Sequence, residues 1–225
     1  MKRLSILLIC IALLAAIFSG CNKTTPYETT GTAASGDGSS ATVQESRPEV
    51  AAEFEMLSGK HYIEIDVKDY GTMKVELDAD VAPITVSNFI DLVNIGFYDG
   101  LTFHRIIDGF MAQGGDPEGT GMGGSDREIK GEFAQNGVEN NISHVRGVIS
   151  MARSSKPNRA SSQFFIVHED STFLDEQYAG FGIVTEGIEV IDALCEDVAG
   201  WNADGNGTVP KKNQPVINYI KVIEG

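Results

Sequence analysis

Apolar and polar residues alternate strictly in two neighbouring segments, and this feature constrains the fold of the chain most. Apolar side chains occupy every second position in residues 63–67 and again in residues 73–77. Because successive side chains of a strand point to opposite faces of a sheet, this period predicts two strands with one buried face. Residues 68–71 form the short connection between them, so we predict a hairpin.

The rest of the same region predicts two helices and several further strands. Pro83 opens a segment, residues 83–95, in which apolar residues follow the helical period. A second short helix is indicated by Ile188, Ile191, Leu194 and Cys195. Short apolar runs bounded by Gly, Asp, Asn or Ser occupy residues 101–107, 110–113, 145–152, 163–167, 181–184 and 216–223. This pattern predicts a mostly β fold, a closed eight-stranded antiparallel barrel capped by two α-helices.

The N-terminal part differs in character from this domain. Lys2 and Arg3 precede an apolar run, residues 4–18, that is shorter than the roughly 20 residues of a spanning helix. Residues 1–20 therefore read as a signal peptide. The small residues before Cys21 resemble a lipoprotein processing site, and the alternative is an ordinary secretory cleavage site with an incidental Cys.

We therefore divide the chain into three parts. Residues 1–20 are the lipoprotein signal peptide, residues 21–55 are a lipidated Cys21 followed by a flexible Thr/Ser/Gly-rich tether, and residues 56–225 are the folded domain. The tether lacks the large apolar residues that would offset the entropy of ordering it. The expected location is extracytoplasmic, with the protein anchored to a bacterial membrane through Cys21.

Charge and cysteine usage exclude several function classes. Acidic residues outnumber basic residues 32 to 17, which argues against nucleic acid as a partner and against electrostatic attraction to anionic lipid. We expect membrane contact through the lipid anchor only, and a monomer. If Cys10 is removed and Cys21 is lipidated, Cys195 is the last thiol, so no internal disulfide forms and a buried, inert thiol is expected.

Two segments carry a specific resemblance. Residues 103–116 read FHRIIDGFMAQGGD, and residues 151–153 (MAR) are followed after a Ser- and Asn-rich loop by residues 162–166 (SQFFI). A weaker match follows at residues 173–175 and 181–182. In this order the segments closely resemble the cyclophilin family of peptidyl-prolyl cis/trans isomerases, over residues 62–223. The eight-stranded barrel with two helices known for that family agrees with the periods described above.

The resemblance implies site residues. Arg105 matches the catalytic arginine, Phe110 belongs to the pocket for the proline ring, and Gln113 matches the side chain that holds the substrate backbone. The substrate-binding positions that the resemblance implies are Ile107, Met111, Gly121, Ala152, Arg153, Gln163, Phe165, Phe173, Leu174 and Tyr178. Without the resemblance, Arg105 would be interpreted as a solvated surface charge and the apolar residues as plain core.

Three positions depart from the family pattern. Phe173 stands where many relatives have Trp, Tyr178 where many have His, and Arg153 where Asn is common. The missing indole N–H predicts weak cyclosporin binding, and the added charge of Arg153 predicts a preference for acidic residues near the substrate proline.

The resulting hypothesis is an isomerase that accelerates rotation of X-Pro peptide bonds in exported or surface proteins and assists their folding. Its partners are proline-containing unfolded or flexible polypeptides. The chemistry needs no cofactor and no metal, and since it abstracts no proton, His104 is interpreted as structural. Alternatives are a proline-peptide binding module with incidental turnover and a receptor for a small solute.

Two further motifs lead to no site. The glycine-rich residues 114–124 do not have the form of a phosphate-binding loop, and we predict a loop of the barrel. Residues 202–207 resemble the front half of a calcium loop, but Asn213 stands where the final Glu would be, so a plain loop is preferred over a calcium site.

Overall fold

A computed structural model of the chain describes residues 48, 50, 53–201 and 203–225. Within them the chain forms eight strands, two α-helices and three short 3-10 turns. The strands are β1 (Lys60–Val67), β2 (Gly71–Asp78), β3 (Thr102–Ile107), β4 (Met111–Asp116), β5 (Val148–Arg153), β6 (Ala160–Val167), β7 (Ala179–Glu186) and β8 (Ile217–Ile223). The helices are α1 (Pro83–Asn94) and α2 (Glu189–Val198). No helix among the described residues has the length and apolar character needed to cross a bilayer.

All eight strands belong to one curled antiparallel sheet with the order β3-β4-β6-β5-β7-β2-β1-β8. The predicted antiparallel architecture with two helices is confirmed, but a closed barrel is not supported. In the described part of the chain, the edge strands β3 and β8 do not pair with each other. The first residue of β3, Thr102, forms only an isolated bridge with Val216, the residue before β8. A loop fills the place beside β3 instead: Thr208 bridges Arg105, and the Ile106 N–H donates to the Gly207 carbonyl (2.9 Å).

The predicted hairpin is present at the start of the domain. β1 pairs with β2 from Lys60 opposite Asp78 to Val67 opposite Gly71. Asp69 in the turn has φ of 67°, a left-handed conformation that short polar residues tolerate. Ile63, Ile65 and Val67 are buried, as the alternation predicts.

The main core lies inside the curl of the sheet, where helix α1 contributes its apolar face. Phe89 of α1 contacts the rings of Tyr98 at 4.8 Å, Phe181 at 5.2 Å and Phe164 at 5.4 Å between centroids. Such aromatic pairs add to the free energy of burial. Helix α1 packs on β2, β7 and β8, and helix α2 packs on β2, β3 and β4. The two helices therefore share β2 and otherwise contact different strands of the sheet.

A second apolar cluster lies apart from this core. Phe164 and Ile166 of β6 belong to the main core, whereas Phe165 and Val167 belong to the second cluster. Because side chains alternate along a strand, adjacent residues of β6 serve two different clusters. This explains why residues 164–167 are apolar without interruption.

Packing begins before the boundary that the sequence analysis set at Met56. Val50 and Phe54 are partly buried against the main core, and the Arg127 guanidinium lies 4.5 Å from the Phe54 ring centroid. The proposed signal peptide, Cys21 and most of the proposed tether lie outside the described residues.

Candidate active site

A cavity of about 200 Å³ opens on the outer face of the sheet, above the second apolar cluster. It is lined by Arg105, Phe110, Met111, Gln113, Ala152, Arg153, Phe165, Leu174 and Tyr178. All nine are among the site residues that the sequence predicts. They come from β3, β4, β5 and β6, from the turn before β4, which carries Phe110, and from the segment before β7. Distant parts of the chain therefore converge on one cavity.

Strand register places the polar part of this lining. On the paired strands β3 and β4, Arg105 lies opposite Gln113 and Ile107 opposite Met111. The register shifts between Phe103 and Arg105, which is the mark of a β-bulge, and bulges re-aim the side chains beside them. Arg105 and Gln113 therefore face the cavity side by side.

The Arg105 side chain is held by groups that leave its charge unneutralised. Nε donates to the Asn206 carbonyl at 2.8 Å, and the guanidinium lies 4.0 Å from Met111 Sδ. Burial lowers the pKa of Arg105, although a guanidinium still remains protonated in a protein. Among the described residues Arg105 forms no ion pair, so its charge is available to a ligand.

Apolar side chains form the floor and one wall of the cavity. Met111, Phe165 and Leu174 are almost fully buried, with Phe110 and Tyr178 packed around them. The rings of Phe165 and Tyr178 meet edge to face at 5.9 Å. Such a slot suits a small apolar ring.

Two glutamines connect the cavity to the glycine-rich loop. Gln113 Nε2 donates to Gln163 Oε1 at 2.8 Å, and Gln163 Nε2 donates to the carbonyls of Gly121 (3.1 Å) and Gly123 (2.6 Å). Gln113 Oε1 accepts no hydrogen bond from the described residues. The amide of Gln113 is thus oriented and still has an acceptor to offer.

The loop itself is fixed by a buried carboxylate. Asp116 accepts backbone N–H groups of Glu118 (2.8 Å), Thr120 (2.9 Å) and Gly121 (2.6 Å). Burial on its own would raise the pKa of Asp116, but these hydrogen bonds outweigh it, and the pKa is lowered. Residues 117–124 form a loop, as predicted, but the first glycines of the stretch, Gly114 and Gly115, belong to strand β4.

Arg153 forms a cationic rim on the opposite side. Its guanidinium lies 4.7 Å from the centroid of Tyr178 and 4.9 Å from that of Phe133. It donates to the Gln177 carbonyl through Nε (3.1 Å) and a terminal nitrogen (2.8 Å), and to the Ser154 carbonyl (3.0 Å). These contacts fix a second guanidinium at the cavity without a carboxylate partner among the described residues.

Comparison with known proteins identifies this arrangement. The family model for cyclophilin type peptidyl-prolyl cis-trans isomerase/CLD matches residues 62–222. The chain belongs to the cyclophilin family. The match begins within β1 and ends within β8, so it includes β2 to β7 and both helices.

The sequence relatives of this cyclophilin are named as isomerases. It is 40% identical to peptidyl-prolyl cis-trans isomerase A of Dickeya dadantii over 163 residues, which cover 68% of this chain and 80% of the relative. It is 47% identical to peptidyl-prolyl cis-trans isomerase B of Bacillus subtilis over 123 residues, covering 55% of this chain and 82% of the relative. The chain is a peptidyl-prolyl cis/trans isomerase.

Solved structures of a cyclophilin type isomerase from Cryptosporidium parvum are also similar. One covers 74% of this chain and 99% of its own, with a TM-score of 0.64 and 31% identity. Another, obtained in the presence of the dipeptide Ala-Pro, covers 73% of this chain and 99% of its own, with a TM-score of 0.63 and 32% identity.

Four predicted site residues of this cyclophilin lie beside the cavity and do not line it. Gln163 and Gly121 act through Gln113, and Ile107 packs against the second apolar cluster. Phe173 is 65% exposed and lies against Phe110, with centroids 5.5 Å apart and planes 33° apart. It therefore extends the apolar wall outward. His104 is buried at 2% exposure, and burial lowers its pKa, in keeping with a structural role.

A chain of polar side chains that no sequence motif indicates lies beneath Phe165. The Asp175 carboxylate can only accept, so His144 Nδ1 donates to it (2.9 Å) and His144 Nε2 accepts from the Ser150 hydroxyl (2.8 Å). The His144 ring stacks on Phe165 at 6.0 Å. His144 and Asp175 are 31 residues apart and both lie outside the strands, so no local pattern indicates this chain.

The loop that resembled part of a calcium site has another task. Asp204 Oδ1 accepts the N–H groups of Asn206 and Thr208, both at 2.9 Å. The same loop presents the Asn206 carbonyl to Arg105. Its carboxylate therefore organises the turn that positions the arginine.

Proposed function

We propose that Arg105 catalyses X-Pro rotation in this cavity by donating a hydrogen bond to the proline nitrogen of the twisted peptide bond. One observation carries the proposal: an unneutralised guanidinium lines the same small cavity as Phe110, Met111 and Phe165. The ligands are segments of unfolded or flexible polypeptide that contain proline.

The chemistry follows from the electronic structure of the imide. Resonance gives the C–N bond partial double-bond character and a rotation barrier of about 18–20 kcal/mol. A twisted bond has lost this resonance, so its nitrogen regains a lone pair that can accept a hydrogen bond. The hydrogen bond from a fixed donor such as Arg105 to this nitrogen is then stronger in the transition state than in the planar ground state. This difference is the condition for acceleration.

The rest of the lining provides the two anchors between which the bond turns. The slot formed by Met111, Phe165 and Leu174 holds the proline ring and disfavours the charge-separated planar amide. Gln113 Oε1 accepts a backbone N–H of the substrate on the other side. Because both sides of the bond are held, the bound substrate is already oriented for rotation about the X-Pro bond.

A protease-coupled proline isomerisation assay tests the proposal. Arg105→Ala is expected to lower kcat/KM by about a hundredfold to a thousandfold, because each 1.36 kcal/mol of lost stabilisation is a factor of ten. Arg159→Ala is the matched control, since Arg159 pairs with Glu128 away from the cavity and its removal should leave the rate unchanged. Equal rates for the wild type and Arg105→Ala would reject the role of this site. Tight peptide binding without acceleration would instead favour a binding module with incidental turnover.

We further propose that the enzyme works outside the cytoplasm, tethered by a lipid on Cys21, on exported or surface proteins. The apolar run of residues 4–18 and the small residues before Cys21 support this. About 30 tether residues would span on the order of 30 Å, which allows the domain to reach chains near the membrane. In a fractionation experiment with labelled fatty acid, the wild type should take up label and sediment with membranes. Cys21→Ser should do neither, and an unlabelled wild type would contradict lipidation.

A further inference from the structure

Three side chains with metal-binding chemistry meet outside the active-site cavity. Asp108 lies in the turn between β3 and β4, His168 directly follows β6, and Cys195 lies in α2. One ligand atom from each lies within 4.8 Å of the other two. The residues are distant in sequence and form no spacing motif, so no metal site was predicted from the sequence.

The donor set has a definite preference among ions. A thiolate, an imidazole and a carboxylate are the ligands of Zn²⁺ and Co²⁺, whereas Ca²⁺ and Mg²⁺ bind oxygen. Bonds of 2.0–2.3 Å in a tetrahedron separate ligand atoms by about 3.3–3.8 Å. The Asp108 side chain is 72% exposed and free to rotate inward, so a contraction of about 1 Å is within its reach.

Cys195 is a buried thiol facing this cluster. It is 1% exposed, and its sulfur makes no hydrogen bond with the described residues. Burial, together with the charges of Asp108 and Asp192, raises the pKa of Cys195 to about 12. A thiol binds a metal as the thiolate, so a dication at this site has to displace the Cys195 proton.

The surroundings of His168 are those of an oriented ligand. Its Nε2 lies 3.1 Å from Asp192 Oδ1, and Arg146 bonds both Asp192 (2.8 Å) and the His168 carbonyl (2.9 Å). A carboxylate on one ring nitrogen fixes the tautomer in which the other can bind a metal. That other nitrogen, Nδ1, lies 3.5 Å from Asp108 Oδ1 and accepts the Gly109 N–H at 3.0 Å.

We propose that Asp108, His168 Nδ1 and Cys195 bind a divalent transition-metal ion such as Zn²⁺, with solvent in the fourth position. Binding releases the Cys195 proton to solvent and replaces the hydrogen bond from the Gly109 N–H. None of the three residues lines the active-site cavity, so the site is independent of the catalytic proposal. Because Gly109 precedes Phe110, the metal ties the turn that carries one cavity wall to helix α2.

Titration of the full chain with Co²⁺ alone tests the proposal. The protein for this titration carries Cys10→Ser and Cys21→Ser, so that of the three cysteines of the chain Cys195 alone remains. The expected result is a saturable near-ultraviolet thiolate-to-cobalt charge-transfer band, with visible absorption typical of tetrahedral Co²⁺, both reversed by excess Zn²⁺. Adding Cys195→Ser should abolish the band.

Two further variants separate ligation from folding. Asp108→Asn changes an exposed side chain and should weaken Co²⁺ binding at least tenfold with no change in the unfolding midpoint of the metal-free protein. His61→Ala, a histidine far from the cluster, should leave the titration unchanged. The proposal is overturned if no charge-transfer band appears, if the band survives Cys195→Ser, or if Asp108→Asn binds Co²⁺ as tightly as its parent.

Discussion

At the scale of single residues, the active site depends on charges that the protein leaves without counter-ions. The chain carries 32 acidic side chains, and none of those that the structure describes lines the cavity that holds Arg105 and Arg153. A guanidinium already paired with a carboxylate would interact less with a substrate. The two guanidinium groups of the lining therefore favour ligands that offer lone pairs or negative charge.

Arg153 is expected to set a charge preference in the substrate. In kcat/KM, a peptide with Glu next to its X-Pro bond should be favoured over one with Lys, and Arg153→Asn should reduce this ratio two- to fivefold. Arg153→Lys retains the charge and should retain most of the preference. The ratio should also fall with added salt, because the pair is accessible to solvent. A ratio that is the same in wild type and Arg153→Asn would contradict this role.

Phe173 is expected to limit cyclosporin affinity. The resemblance to relatives with Trp at this position implies a missing N–H donor, and a hydrogen bond has a net value of roughly 0.5–1.5 kcal/mol. Phe173→Trp should therefore tighten cyclosporin binding about threefold to tenfold in calorimetry. Because Phe173 is exposed, both substitutions should leave the protein folded. The Phe173→Leu control adds no N–H donor and should bind cyclosporin no more tightly than wild type.

At the scale of elements, the loop beside β3 is as important as the strand. Asp204 holds the turn from which Asn206 contacts Arg105. Asp204→Ala should lower kcat/KM threefold to tenfold, since a displaced donor is misaligned with the reacting nitrogen. Asp204→Asn keeps an acceptor oxygen and should stay close to wild type. An unimpaired Asp204→Ala enzyme would show that the loop does not position the arginine.

The elements also show what a sequence can predict. The β1–β2 hairpin follows from its apolar period, because each strand buries a single face. Helix α1 follows from its apolar period too, although residues 85–90 are all buried and more than the apolar face is enclosed. The open edge at β3 could not be predicted, because it depends on a loop that lies against the strand through backbone bonds. The same holds for Glu132, whose carboxylate accepts the Ile84 (3.0 Å) and Thr85 (2.7 Å) N–H groups at the start of α1.

The site divides in the same way. Most of its lining residues fall in a few short segments, such as residues 105–113 and 152–153, that resemble the cyclophilin family, so the resemblance identified them. The supports beneath the lining, such as His144 with Asp175 and the cluster around Cys195, join residues from different elements. Their side chains carry no local period, and pairing in three dimensions is needed to bring them together.

At the scale of the whole molecule, two buried histidines predict a pH-dependent stability. Burial lowers the pKa of both His104 and His144 below the ordinary value of 6.5. As pH falls through 6.5 the unfolded chain takes up protons that the folded chain does not, so the free energy of unfolding decreases on acidification. The slope is at most about 1.4 kcal/mol per pH unit for each histidine.

Denaturant unfolding between pH 8 and 5.5 measures this slope. Stability should be level at the upper end and fall below pH 6.5, with a shallower fall in His144→Gln. A profile that is flat throughout, or that rises toward acid, would contradict the assignment of neutral buried histidines.

The central claim is that Arg105 stabilises the half-rotated bond more than the flat one. Exchange spectroscopy on an isotope-labelled Ala-Pro peptide, measured together with its dissociation constant, tests this most directly because it separates rotation from binding. For Arg105→Gln we predict an affinity within about threefold of wild type and an on-enzyme exchange rate at least a hundredfold slower. An exchange rate that stays at the wild-type value, or that falls only as far as the affinity does, would contradict the claim.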